Sequence, residues 1–258
     1  MESLNCAAIF AILSLLTIIV KAYGCNDGGG GCSASIGSFG DSLADTGNLV
    51  RLAPPSRPQH FAFPPYGETF FRYPTGRCSD GRLVVDFIAE ALGLPLLPSN
   101  FSDRNGSFRG FLKGVNFAVA GATALDASFF REGGWGMLPA IPPWESSWID
   151  NMHEAVDWRL RLSVVRGAGR DSQIATNLSR TQLVLMGEIC GNDYNNPFLA
   201  GKNIREIREY VLLVVDEITS AINELINMGA VTIVVPGNLP IGCLPVYLTS
   251  FETSDRSQ

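Results

Sequence analysis

Four short apolar segments without polar alternation recur along the chain, at residues 35–39, 114–120, 183–189 and 230–235. Short continuous apolar runs bounded by turn residues are the pattern of strands buried on both faces, as in parallel sheets. Between them lie stretches of helical period. Residues 83–92 carry one, ended by Gly93 and Pro95, which cannot continue a helix without cost. Residues 152–166 carry a second. The longest runs through Ile204, Ile207, Val211, Val214, Ile218, Ala221, Leu225 and Ile226, a spacing near 3.6 that marks one amphipathic helix. Strands alternating with helices predict parallel pairing and a three-layer α/β/α sandwich. In such folds ligands bind beyond the carboxyl ends of the strands. That rule points to three turns, at residues 40–48, 121–123 and 191–193.

An apolar run at residues 7–20 precedes all of this. It is short for a membrane span, which needs ~20 apolar residues, and suits the central region of a secretory signal ending near Gly24. The expectation is a 1–24 signal peptide, a single domain over 25–258, and a soluble secreted protein without a later membrane span. Asn100-Phe-Ser, Asn105-Gly-Ser and Asn177-Leu-Ser would then be glycosylation acceptors. Cys25, Cys32, Cys78, Cys190 and Cys243 would remain after cleavage. That number is odd, so one thiol would be left over or pair outside the chain, and the spacing fits no zinc site. A net charge of −6 over 258 residues argues against a nucleic-acid partner, which calls for clustered Lys and Arg. Neither a cofactor nor a metal is implied, and oligomeric state is left open.

The turn Phe39-Gly-Asp-Ser-Leu-Ala-Asp-Thr-Gly-Asn48 is the most informative stretch. A serine on a strand-to-helix turn exposes its hydroxyl beside backbone N–H groups that can stabilise an oxyanion. Local physics leaves Ser42 open between nucleophile and N-cap. The Gly-x-Ser-x-Gly elbow is not met, because residue 44 is Ala. Gly121 offers an amide at a strand end where a ligand can come close. Asn192 offers a side-chain amide. Asp41 and Asp45 lie on one turn and read as caps, which sets aside a two-carboxylate glycosidase.

These blocks resemble the plant GDSL esterase/lipase group of the SGNH hydrolases. Residues 39–48 look like that family's first block, Gly114-Val-Asn-Phe-Ala-Val-Ala-Gly121-Ala-Thr its second, and Gly191-Asn192-Asp193 its third. The stretches at 64–71, 74–82 and 235–243 support the match. The resemblance implies an SGNH/flavodoxin-like fold and hydrolysis of a small carboxylic ester through an acyl-enzyme. Ser42 would be the nucleophile. Its own amide, the Gly121 amide and the Asn192 side chain would form the oxyanion hole.

The family draws its general base from a late Asp-x-x-His block after a fifth strand. The chain ends at Gln258 without that block, so the expectation is a chain short of its last strand and helix. The two histidines are His60 and His153. His60 reads as a loop residue. Asp150-Asn-Met-His153 spells Asp-x-x-His, but before the third strand, where coincidence is the plainer account; no general base is otherwise identified. Cys190 stands where the family usually has glycine. The alternative is a catalytically impaired relative that binds an ester or acyl ligand without turnover.

Overall fold

The computed structural model describes residues 35–97, 114–132, 182–187, 189–227 and 230–250. The segment at 1–24, Cys25 and Cys32, the acceptors Asn100, Asn105 and Asn177, the helix expected at 152–166, and Asp150 with His153 lie outside those residues.

The apolar segments become strands β1 (Ser35–Phe39), β2 (Gly114–Asn116), β3 (Gln182–Met186) and β4 (Thr232–Val234). They form one sheet in the order β2-β1-β3-β4, with every pair parallel. The β1–β3 register runs over five residues, from Ser35 with Gln182 to Phe39 with Met186. Side chains alternate between the two faces of these central strands. Ile36 and Leu185 face a cluster with Val85 and Ala89 of helix α2 (Val84–Ala91). Phe39, Val184 and Met186 face Phe130 of α3 (Ala127–Glu132) and Val214, Ala221 and Leu225 of the long C-terminal helix. Helices thus cover both sheet faces, as the α/β/α expectation requires.

Three elements differ from the expected pattern. The β2 ladder ends at Asn116 rather than 120, although the chain runs on beside β1 through Phe117 N–H to Ser38 O (2.8 Å) and Val119 N–H to Gly40 O (3.1 Å). The long helix is divided at Glu209 into α5 (Ile204–Arg208) and α6 (Tyr210–Asn227). Glu209 N–H reaches the Glu206 carbonyl at 3.2 Å, a three-residue bond that tightens the turn. A reciprocal box between Asn203 and Glu206 starts α5. Finally, β4 is half-buried along its length rather than buried on both faces, because among the described residues it has a strand neighbour on one side only.

The Pro- and aromatic-rich loop is latched to α2 by charge. Arg77 binds Asp86 through two bonds of 2.8 and 2.7 Å in a buried, fork-like pair. Its guanidinium also lies 4.7 Å from the Phe71 ring centre. Arg82 sits between the rings of Phe70 and Phe87, at 4.3 and 4.0 Å. A bridge between Thr46 and Arg77 carries that latch to the turn after β1.

Candidate active site

The turn after β1 is held from inside by two carboxylates. Asp41 is buried and accepts from Leu43 N–H at 3.0 Å. Asp45, fully buried, accepts from four amides: Gly47 (2.7 Å), Asn48 (2.6 Å), Leu49 (3.1 Å) and Ala120 (2.8 Å). Three of these open helix α1 (Asn48–Leu52), so Asp45 performs the capping that an N-terminal turn needs. Burial raises the Asp45 carboxyl above the ordinary carboxylate range, and the four donors pull it back. Asp45 is therefore a helix cap, whereas Asp41 holds the turn itself, since no helix opens at Leu43. Ser42, between them in sequence, is half-buried, and its hydroxyl bonds to no described residue. The helix-capping alternative for Ser42 finds no support in this geometry.

Gly121 turns the chain after β2 at φ +94°, in the region that favours glycine because a Cβ there is strained. The amides of Ser42 and Gly121 donate to nothing among the described residues. Asn192 stands in the first turn of α4 (Gly191–Leu199). Its side-chain nitrogen donates to the Ala122 carbonyl at 2.9 Å and to Asp41 Oδ2 at 3.3 Å. One amide thus bridges the neighbour of Gly121 and the neighbour of Ser42. The three sequence-predicted site residues, on turns 70 to 150 positions apart, are brought to one rim of the sheet.

Sequence reasoning missed the buried polar groups that tie this rim together. Asp193 is fully buried and accepts from Ala124 N–H (2.8 Å) and Leu125 N–H (2.9 Å), joining α4 to the turn after β2. Burial pushes its carboxyl up to about 7, against the pull of those amides. Asn48 donates to the carbonyls of Asn116 and Ala118 at 2.9 and 2.8 Å, and Asn116 donates to Ala44 O (2.6 Å) and Thr46 Oγ1 (3.0 Å). The available signal was an asparagine within the otherwise apolar segment 114–120, since a buried amide must find partners. Gly187 is a second such signal. A Cβ there would collide with the Phe39 carbonyl oxygen, so only glycine lets β3 leave the sheet this close to β1. Cys190 takes φ +152°, where a side chain is strained at a cost of about 1–3 kcal/mol. It packs against the core beneath α4.

The remaining candidates contribute no geometry here. His60 is exposed in a short 3₁₀ turn, edge-on to Phe61, as a loop residue. His153 and Asp150 are outside the described residues.

The model of the GDSL-like lipase/acylhydrolase family matches residues 36–257. A GDSL esterase/lipase of Arabidopsis thaliana is 43% identical over 97% of this chain and 59% of its own length. A second from the same plant is 44% identical over the whole chain and 61% of its own. A sinapine esterase of Brassica napus is 46% identical over 85% of the chain and 53% of its own. The chain therefore spans just over half the length of these curated relatives. With the parallel sheet and the three turns on one rim, the chain belongs to the GDSL-like lipase/acylhydrolase family.

Proposed function

We propose that the chain carries the nucleophile and oxyanion hole of a serine hydrolase acting on carboxylic esters. The observation that carries this reading is the double hydrogen bond of Asn192, to Ala122 O at 2.9 Å and Asp41 Oδ2 at 3.3 Å, beside a Ser42 hydroxyl with no competing bond. In this mechanism Ser42 Oγ attacks the ester carbonyl and gives its proton to a general base. The developing oxyanion receives the Ser42 and Gly121 amides. It also takes the Asn192 N–H that otherwise makes the longer bond to Asp41. Collapse expels the alcohol, which takes up the proton, and water then hydrolyses the acyl-serine. The first-turn amides of α4 and its dipole favour the same negative charge.

The base is the part that this reading leaves to experiment. His153 with Asp150 is the candidate remaining in the chain once His60 is assigned to the exposed loop. We also read residues 1–24 as a secretory signal and Asn100, Asn105 and Asn177 as glycosylation acceptors, on the apolar run at 7–20 and the Asn-x-Ser spacing. Among the described residues no helix is long and apolar enough to cross a membrane.

Hydrolysis of p-nitrophenyl acetate and butyrate by the wild type, Ser42→Ala, Asn192→Ala and His153→Ala tests the reading. With a base in place, loss of the nucleophile is expected to lower turnover on the order of a millionfold, and loss of Asn192 about 10²–10³-fold. The Ser42→Ala melting temperature should stay unchanged, because its hydroxyl holds nothing. Turnover lost also in His153→Ala would make that histidine the base. Ser42→Ala matching the wild type would defeat the assignment of the nucleophile. A folded wild type without Ser42-dependent turnover would favour binding without catalysis.

A further inference from the structure

The proposed oxyanion hole draws its donors from three turns, so its geometry depends on what fixes those turns to one another. Gly121 lies between two such ties. On its N-terminal side, Asp45 of the first turn accepts from Ala120 N–H at 2.8 Å. On its C-terminal side, two consecutive side chains of α4 reach the same short segment. Asn192 donates to Ala122 O at 2.9 Å. Asp193 accepts from Ala124 N–H at 2.8 Å with one oxygen and from Leu125 N–H at 2.9 Å with the other.

The reaction asks different things of these two α4 side chains. The Asn192 amide carries the N–H that lies 3.3 Å from Asp41 Oδ2 and turns to the oxyanion as charge develops. An amide pulled toward a new charge is a poor anchor for its own helix. Asp193 is fully buried, so no substrate touches it, and both its oxygens keep their partners through every step. Hydrogen bonds to a carboxylate are also roughly twice as strong as neutral ones. Its Cα is one peptide, about 3.8 Å, from that of Asn192, so holding one residue holds the backbone of the other. The gripped segment is braced within itself: Ala122 N–H donates to Val119 O at 3.0 Å, and Thr123 Oγ1 donates to Leu125 O at 2.7 Å. A hold on Ala124 and Leu125 therefore reaches Gly121 through a closed turn rather than a slack loop.

We propose that Asp193 is a positioning residue of the oxyanion hole, whose forked grip on the amides of Ala124 and Leu125 fixes the Gly121 amide against the Asn192 side chain. The proposal rests on the esterase reading above and adds to it a residue that touches neither substrate nor nucleophile. Such a hole accelerates the reaction because its donors are preorganised, and a misplacement of about 1 Å costs on the order of 10²-fold in rate.

Asp193→Asn keeps the size of the side chain but sets an NH₂ against one of the two amides, which opens one prong of the grip. The assay uses p-nitrophenyl butyrate at pH 8, where the wild-type carboxyl, raised to about 7, is ionised. The variant should lose about 10–100-fold in kcat, with KM within about twofold. Combined with Asn192→Ala, the loss should be smaller than the product of the two single losses, because both act on one hole. A kcat within about twofold of wild type, a loss confined to KM, or a double variant showing the full product would each overturn the proposal.

Residue-resolved amide exchange by NMR supplies a readout independent of turnover. In Asp193→Asn the Ala122 amide should exchange at least about tenfold faster, with the Val214 and Leu225 amides of α6 unchanged. No local rise, or a rise shared with α6, would leave Asp193 a purely structural role and overturn the proposal. Wild-type turnover that is absent or independent of Ser42 would instead strike the esterase reading, and the exchange result alone then decides whether Asp193 holds the Gly121 turn. If the variant does not fold, the wild type decides. Ala124 and Leu125 amides slowed at least about a hundredfold relative to unbonded chain support the grip, and free exchange refutes it.

Discussion

The turns after β1, β2 and β3 form a rim that is polar in sequence and yet largely buried, whereas the flank formed by β4 and α6 is apolar in sequence and yet partly exposed. At the rim, buried carboxylates accept from backbone N–H groups and buried Asn side chains donate to backbone carbonyls across 68 to 75 residues of chain, as in Asp45 with Ala120 and Asn48 with Asn116. On the flank, Leu212 is 73% exposed and Val231 is 67% exposed, while Ile233 and Val234 are half-buried. Apolar character alone therefore does not decide burial; position in the sheet does. The rim is specified by a few polar groups whose loss leaves several partners unsatisfied. Flank side chains are interchangeable except where they point into the core.

That contrast breaks first at Asp45. Asp45→Ala leaves four amide donors without their acceptor and is expected to cost about 3–5 kcal/mol in urea denaturation. A loss below about 1 kcal/mol would mean that the rim is held as loosely as the flank.

The next largest effect is in pH. The folded Asp193 carboxyl is raised to about 7, whereas the unfolded chain releases that proton near the ordinary carboxylate value of about 3.9. Between these values the folded form binds the extra proton. This group's contribution is therefore fully present below about pH 4 and is lost as pH rises through about 7. Asp193→Asn should flatten that slope in melting curves taken from pH 4 to 8. An identical slope in the variant would show that the fold ionises Asp193 as readily as solvent does.

The smallest effect sharpens the flank. Two residues apart on α6, Val214 is 1% exposed and Leu212 73% exposed. Val214→Ala should cost about 1–3 kcal/mol, and Leu212→Gln should stay within about 0.5 kcal/mol. Comparable losses at both positions would mean that Leu212 is covered in solution.

Much of this architecture was legible before any coordinates. The strand at 35–39, the third strand up to Met186 (three residues short of the expected 189) and the helix over 83–92 follow from run length and period. The three turns of the rim follow from residue type at strand ends. What periodicity could not reveal was the break at Glu209, since α5 and α6 keep apolar positions near 3.6 on both sides of it. Nor could it reveal that β4 would be half-buried, because a strand reads the same whether one neighbour flanks it or two.

Sequence by itself determined the α/β class and the places of the turns that carry Ser42, Gly121 and Asn192, and it pointed to Asp45 as a cap. These depend on residue type and on neighbours a few positions away. Only the tertiary structure decided that Asn192 bridges Asp41 and Ala122, that Asn48 and Asn116 close the inner side of the rim, and that Tyr247 donates to Asn195. Those contacts join residues that chain spacing keeps far apart, and the sheet order β2-β1-β3 brings them within hydrogen-bond reach.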